Sequence, residues 1–449
     1  MPASPALPPT ETHPHDLLLE LYAAATRAVD PMPALAARLA GLERDTGRRP
    51  WLLALGKAAE PMARQAVDTL ARSGIEPAGG LAVPPAAHPA PHPRIRVVPG
   101  DHPEPGARSL AAAEALARIA GAIGAEDEVW VLLSGGASSL LAAPIDGVSP
   151  DELRALYALL LGSGLDITAM NRIRKRFSRW GGGRLARALA PARVRVFVVS
   201  DVIGDDLASI GSGPCVPDSA TATEVRGLLE DAGLWERVPD AVRRELLAAE
   251  SGETAETPKP GDQAFARVTH DLIASNRLAV DAAAARAAAL GLVPEVARAP
   301  LAGEATRAGE RIAATLLQHC GRGEIAQHSP HSPRRCFVWG GETTVTLGDM
   351  RPGIGGRCQE LALAAARVLA GAPPQVALLA AGTDGRDGPT DAAGAIVDGA
   401  TWSAIARAGR DPARDLAAHD AYPALDAAAA LIRTGLTGTN VMDVVIGVS

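Results

Sequence analysis

A chain of 449 residues exceeds what a single hydrophobic core usually serves, so two domains are expected. Hydrophobic residues make up 47% but aromatics only 3%, which implies a core of Ala, Leu and Val, suited to helices packed on a parallel sheet. A net charge of −7 offers no basic surface for a polyanion and argues against nucleic acid as the main partner; four scattered cysteines without paired spacing argue against a disulfide framework.

In chain order, residues 1–14 are Pro-rich and polar and read as a disordered N-terminus, without the charged and apolar pattern of a leader. No apolar run reaches membrane-spanning length, so a cytoplasmic protein without a membrane partner is expected. Apolar residues recur at helical spacing over Leu17–Ala28 and Leu35–Leu42. Strand and helix then alternate: Trp51–Leu55 as a strand, Lys57–Ala71 as a helix, and Val-rich strands at Glu128–Leu133 and Val194–Val199. That alternation predicts a parallel sheet with helical crossovers. Further helices are predicted at Pro150–Leu161, Ala169–Trp180, Asn276–Ala289 and Ala305–Gln318. Residues 321–333 are polar, with His, Ser and Pro, and read as a linker. Beyond it come strands at Cys336–Trp339, Thr343–Leu347 and Val376–Ala381 and a helix at Glu360–Leu369. The predicted organisation is therefore a disordered 1–14, an α/β domain over 15–320, the linker 321–333 and a second α/β domain over 334–449.

Several segments carry chemistry. At Gly56-Lys57 a strand ends in a glycine and a cation just before a helix, which suits an anion, although taken alone these residues favour a solvated Lys at a turn. Ser134, Gly135, Gly136, Ser138 and Ser139 follow a strand and supply N–H and hydroxyl donors for phosphate or carboxylate, the alternative being a structural tight turn. Asn171, Arg174 or Lys175, and Ser178 fall at helical spacings before Gly181-Gly182-Gly183 and Arg184, as a polar cationic face that binds ligand or is merely solvated. Asp201 and Asp205 stand where a strand stops, as Mg²⁺ ligands, acceptors of a hydroxyl proton, or caps. Glu342 follows a glycine pair, and Arg357 leaves the Gly353–Gly356 loop, from which its fork can close bidentately on a carboxylate or phosphate. Thr383, Asp384 and Asp387 lie in a turn-rich loop that handles metal or phosphate, or is structural. His319, Cys320, His328, His331 and Cys336 are zinc-capable types, but their spacing matches no common finger.

Taken together these segments resemble the glycerate 2-kinase family, whose C-terminal module is called MOFRL and whose members often carry the label hydroxypyruvate reductase. The resemblance rests on SGGASSLL from Ser134, NRIRKRFSRWGGGRLA from Asn171, SDVIGDDLASIGSGP from Ser200, GGETTVT from Gly340, GGRCQELAL from Gly355, AGTDGRDGPTDAAG from Ala381 and TGTNVMD from Thr437. The chain departs from the family pattern at Asp101, Ala137, Gly181, Cys215 and Cys358. The resemblance implies a larger Rossmann-like α/β domain with a parallel sheet, a smaller α/β MOFRL domain, and an active site in the cleft between them. It implies Lys57 and Arg357 as active-site cations, with ATP and Mg²⁺ as cosubstrates and D-glycerate as acceptor.

From these residues the expected catalytic set is Lys57, Arg357 and Asp201, and the expected metal set is Asp205, Asp384 and Asp387. Substrate or phosphate would be held by the Ser134–Ser139 loop with Asn171, Lys175, Ser178, Arg184, Glu342 and Thr383. The partners are small molecules, and a homodimer is compatible with this reading. An NAD(P)-dependent reductase would need spaced glycines after a strand with an acidic residue further on, and no such unit occurs. A related hydroxy-acid kinase, or a binding protein without catalysis, fits the same residues.

Overall fold

The computed structural model describes residues 13–40, 49–102, 104–321, 334–348 and 352–449. Most of the expected disorder of residues 1–14 and of the linker 321–333, with His328 and His331, lies outside them, but Pro14 already opens a helix, Pro14–Ala28, and Gly321 closes another, Ala305–Gly321. Two compact units emerge, one of residues 31–273 and one of residues 1–30 with 274–449.

The unit of residues 31–273 is built on a six-stranded sheet. Its strands are β1 (Trp51–Leu55), β2 (Gly79–Val83), β3 (Ile95–Val97), β4 (Glu128–Leu133), β5 (Arg193–Val199) and β6 (Val268–Ala274), in the order β3-β2-β1-β4-β5-β6. The β1–β2, β2–β3, β1–β4 and β4–β5 pairs are parallel. Leu52 to Leu55 are all fully buried, as a strand covered on both faces requires. The strand order reverses between β1 and β4, and the crevice beyond the carboxyl ends of these two strands is the usual ligand position in an open α/β sheet. A second cluster, around Leu156, Phe177 and Leu246, packs the helices Pro150–Leu161, Ile167–Phe177, Ala222–Asp231 and Asp240–Ser251.

The other unit carries β7 (Val293–Val296), β8 (Arg335–Gly341), β9 (Ala377–Gly382), β10 (Gly394–Asp398), β11 (Leu431–Ile432) and β12 (Asp443–Val448), in the order β11-β10-β9-β12-β8-β7. Only β7–β8 is parallel; β8–β12, β12–β9, β9–β10 and β10–β11 run antiparallel. The helix Arg357–Leu369 lies in its core with Ala362, Ala364, Ala365 and Ala366 fully buried. A Cβ at Gly309 would sit 2.2 Å from the Leu361 carbonyl oxygen. Small side chains thus let the helices Ala305–Gly321 and Arg357–Leu369 approach closely, which is how a core poor in aromatics reaches native density.

Two sequence expectations change here. The division falls at residues 30/31 and 273/274 rather than at 321–333, because β7 hydrogen-bonds to β8 and the helix Pro14–Ala28 belongs with the C-terminal strands. Tyr22 donates its hydroxyl to Gly382 O (2.5 Å), His15 pairs with Asp398 (2.9 Å), and Thr439 Oγ1 donates to Val29 O (2.7 Å). Thr343–Leu347 forms no strand; Thr344 makes only an isolated bridge to Glu304. Among the described residues no helix is long and apolar enough to cross a membrane.

Candidate functional site

In the unit of residues 31–273, the turns after β1, β4 and β5 converge at the switch point. Gly56 has φ +122°, and a Cβ there would meet Ser134 Oγ at 2.3 Å, so only glycine lets the β1 turn touch the β4 loop. Two bonds lock the loops: Lys57 N donates to Gly135 O (2.9 Å), and Ala58 N donates to Ser134 Oγ (3.0 Å). Ser134 is therefore a buried fastener rather than an open donor. Gly135 faces Asp201, whose Oδ2 lies 1.8 Å from where a Cβ would be. Gly136, at φ +83°, has the His102 ring and the Lys57 stem 3.1–3.2 Å from its would-be Cβ. Ser138 Oγ lies 2.8 Å from Ser212 Oγ.

Lys57 is exposed, and neither it nor Asp201 makes an ion pair among the described residues. Burial raises the Asp201 carboxyl above its ordinary range, with the Lys57 charge pulling the other way. Burial, helped by Lys57, lowers the His102 imidazole below its ordinary value. His102 was not among the expected site residues, being in a Pro-flanked loop distant from the other segments; its signal in the sequence is that it follows Asp101, where the chain departs from the family pattern. Asp101 itself binds Arg108 N (2.8 Å), Arg108 Nε (2.6 Å) and Ser109 N (3.4 Å) at the start of the helix Ala107–Ala120, so its carboxylate fastens that helix start.

The basic helix departs from expectation. Lys175 is buried and pairs with the fully buried Asp218 at 2.8 Å, and Asp218 also accepts from Thr257 Oγ1 (3.0 Å). Arg184 donates to the carbonyl oxygens of Lys175 and Ser178 (both 3.2 Å), and burial lowers its guanidinium to about 10. Ser178 Oγ accepts from Gly181 N (3.2 Å). These three groups serve the interior instead of facing a ligand, because inside the protein each needed an internal partner. Asn171 stays half-buried on the helix Ile167–Phe177.

In the other unit, Arg357 opens the helix Arg357–Leu369, and its fork is closed on the protein itself. Nε and NH2 bind the two carboxylate oxygens of buried Asp443 (2.6 and 2.8 Å), and NH1 pairs with Glu342 (2.9 Å). Burial opposes the charge, but these carboxylates hold the guanidinium above its ordinary value. Asp387, expected at a metal, caps the same helix by accepting from Cys358 N (3.2 Å) and Gln359 N (2.8 Å); burial, with Asp443 nearby, pushes its carboxyl up to about 7. Thr383 is fully buried and bonds Met442 O (2.7 Å) and Val441 N (2.9 Å), which makes it a structural tie. Asp384 is half-buried and accepts from Arg386 N (2.9 Å). Cys358 is buried, and burial raises its thiol well above the usual value. Glu342, Thr343, Val345, Leu347, Arg357 and Glu360 help line a cavity of about 490 Å³. Glu360 accepts from Thr306 Oγ1 (2.9 Å) and pairs with His419 (2.7 Å).

Comparison with known proteins fits both units. Residues 17–247 match a domain of unknown function, DUF4147, and residues 335–443 match the MOFRL family. The chain is 36% identical to a glycerate 2-kinase of Pyrococcus horikoshii, covering 96% of each chain. It is 37% identical to a D-glycerate 2-kinase of Thermotoga maritima, covering 96% of this chain and 97% of that one. A crystal structure of a Thermotoga maritima glycerate kinase superposes with a TM-score of 0.84 at 36% identity, covering 96% of this chain and 98% of that one.

Proposed function

Because the chain belongs to the glycerate 2-kinase family, we propose that it transfers the γ-phosphoryl of ATP to the 2-hydroxyl of D-glycerate, giving 2-phosphoglycerate and ADP. The observation that carries this reading is an exposed ammonium, Lys57, beside a glycine-bounded loop and a half-buried carboxylate at the switch point of a β3-β2-β1-β4-β5-β6 sheet. Phosphoryl transfer asks the protein for positioning and charge neutralisation more than for covalent help.

In the reaction the bond from the substrate O2 to phosphorus forms while the bond from phosphorus to the β–γ bridging oxygen breaks. The hydroxyl proton passes to Asp201, whose raised affinity for protons suits that task. Lys57 neutralises charge on the transferring group, and the turn at Gly135–Ser139 supplies polar groups beside it. His102, against Gly136, walls the same turn.

The donors also suit Mg²⁺. Among the described residues no group of three or more His, Cys, Asp or Glu converges, so an all-protein cage is absent. Mg²⁺ in phosphoryl transfer is instead held by one or two carboxylates together with substrate phosphates. Asp205, in the turn after β5 in the same unit as Lys57, is the carboxylate that would help hold it, and when bound it would neutralise phosphate charge. The same strand order also occurs in dinucleotide-binding folds, but the turn after β1 reads Gly56-Lys57-Ala58-Ala59-Glu60 without spaced glycines, and β2 is followed by Pro84-Pro85 rather than an acid.

The test is a coupled assay with ATP, Mg²⁺ and D-glycerate, with the product identified by phosphorus NMR. Oxidation of NADH or NADPH with hydroxypyruvate, without ATP consumption on glycerate, would overturn the reading.

A further inference from the structure

The unit of residues 1–30 and 274–449 holds two devices that ordinarily bind anions, and the protein's own carboxylates have already satisfied both. The Arg357 fork is bidentate on Asp443, with its third nitrogen on Glu342. At the N-terminus of the helix Arg357–Leu369, the N–H groups of Cys358 and Gln359 are taken by Asp387. The cavity beside them is walled by two more carboxylates, Glu342 and Glu360, the latter with His419 as partner. Its fixed charge is therefore negative or near neutral, which repels a triphosphate or a small carboxylate.

The remaining walls have a different chemistry. Val345, Leu347, Pro352, Pro389 and Ala421 present apolar surface, and Gly355, Gly356 and Gly388 leave the backbone bare. Thr343, 2% exposed, also lines the cavity, and its hydroxyl is buried without a hydrogen-bond partner among the described residues. A volume of about 490 Å³ is that of a small-molecule site. Glycine-floored, apolar-sided space accepts a flat ring, and a carboxylate at its edge accepts hydrogen bonds from vicinal hydroxyls, as acidic residues do for ribose.

We propose that this cavity binds a nucleoside, its apolar wall against the base and its carboxylates toward the ribose hydroxyls. The inference rests on the phosphotransfer reading for its ligand class but assigns the cavity independently of turnover.

Binding is measured by calorimetry on the full chain with adenosine, which carries no phosphate, and with inorganic tripolyphosphate, which carries no nucleoside. Two variants are compared with wild type: Val345→Trp, which fills the cavity, and Leu347→Ser, which removes apolar wall at an exposed position and leaves folding intact. Val345→Trp is expected to weaken adenosine at least about tenfold and Leu347→Ser at least about threefold, with tripolyphosphate binding and the KM for glycerate within about twofold of wild type. Failure of adenosine to bind wild type, an unchanged adenosine affinity in Leu347→Ser, or selective loss of tripolyphosphate or glycerate binding would each overturn the assignment. Wild type that binds adenosine in the cavity yet transfers no phosphoryl to glycerate would support this inference and refute the kinase reading.

Discussion

Replacing Arg357 by Met removes a guanidinium from a buried carboxylate. Asp443 is 1% exposed, and both its oxygens are held by Arg357 Nε and NH2 at 2.6 and 2.8 Å. Breaking a buried pair by deleting one partner typically costs about 3–5 kcal/mol, because the other charge stays desolvated. In a domain of this size that corresponds to a fall in Tm of about 6–20 °C. Arg357→Lys keeps the charge but replaces two parallel bonds with a point contact, and should lose about 1.5–3 kcal/mol. Urea denaturation of wild type, Arg357→Met, Asp443→Asn and the double variant gives the coupling. The double variant should be more stable than Arg357→Met alone, since the orphaned charge is gone. An Arg357→Met protein within about 1 kcal/mol of wild type, or a coupling near zero, would refute the argument that this guanidinium holds the helix start to β12.

Lys57→Ala should lower kcat/KM by at least about a hundredfold while Tm stays within about 2 °C, because the side chain is exposed and makes no ion pair among the described residues; a loss under about threefold would remove it from the mechanism. If Asp201 takes the proton, kcat/KM falls as pH drops through its pKa, which burial places above the ordinary carboxylate value, so the acid limb should lie above about pH 3.9. Asp201→Asn should abolish that limb together with most activity, and an unchanged limb would assign the proton elsewhere. Gly135→Ala puts a methyl 1.8 Å from Asp201 Oδ2 and should cost activity far more than stability, read as kcat against melting temperature. Lys175→Met should destabilise by about 3–5 kcal/mol by stranding Asp218, measured by denaturation; a stable variant with impaired KM would instead restore Lys175 to the ligand site.

Local signals were legible in the sequence where local physics decides. The strands Trp51–Leu55 and Glu128–Leu133 and the helices Pro150–Leu161 and Asn276–Ala289 have the limits their hydrophobic periodicity predicts. The glycines at 56, 135 and 136 marked the turns at the switch point because each sits where a side chain would collide or the backbone is left-handed. Membership of the glycerate 2-kinase family was equally readable, since ordered motifs are a property of the chain alone.

Tertiary structure alone decided which charges remain for a ligand. Lys175, Arg184, Arg357 and Asp387 have the residue types of a binding site, yet each is held by a group that is distant in sequence or hidden in the backbone: Asp218, two carbonyl oxygens, Asp443, and a helix start. Lys57 has the same chemistry in a turn that leaves it exposed, and His102 reaches it only because the chain folds back over Gly136. The placement of the helix Pro14–Ala28 with strands near the C-terminus, and the antiparallel run of β8 to β12, likewise depend on long-range pairing. Periodicity reports which face of an element is buried; it carries no information about which element buries it, and the pairing of buried charges follows from that second choice.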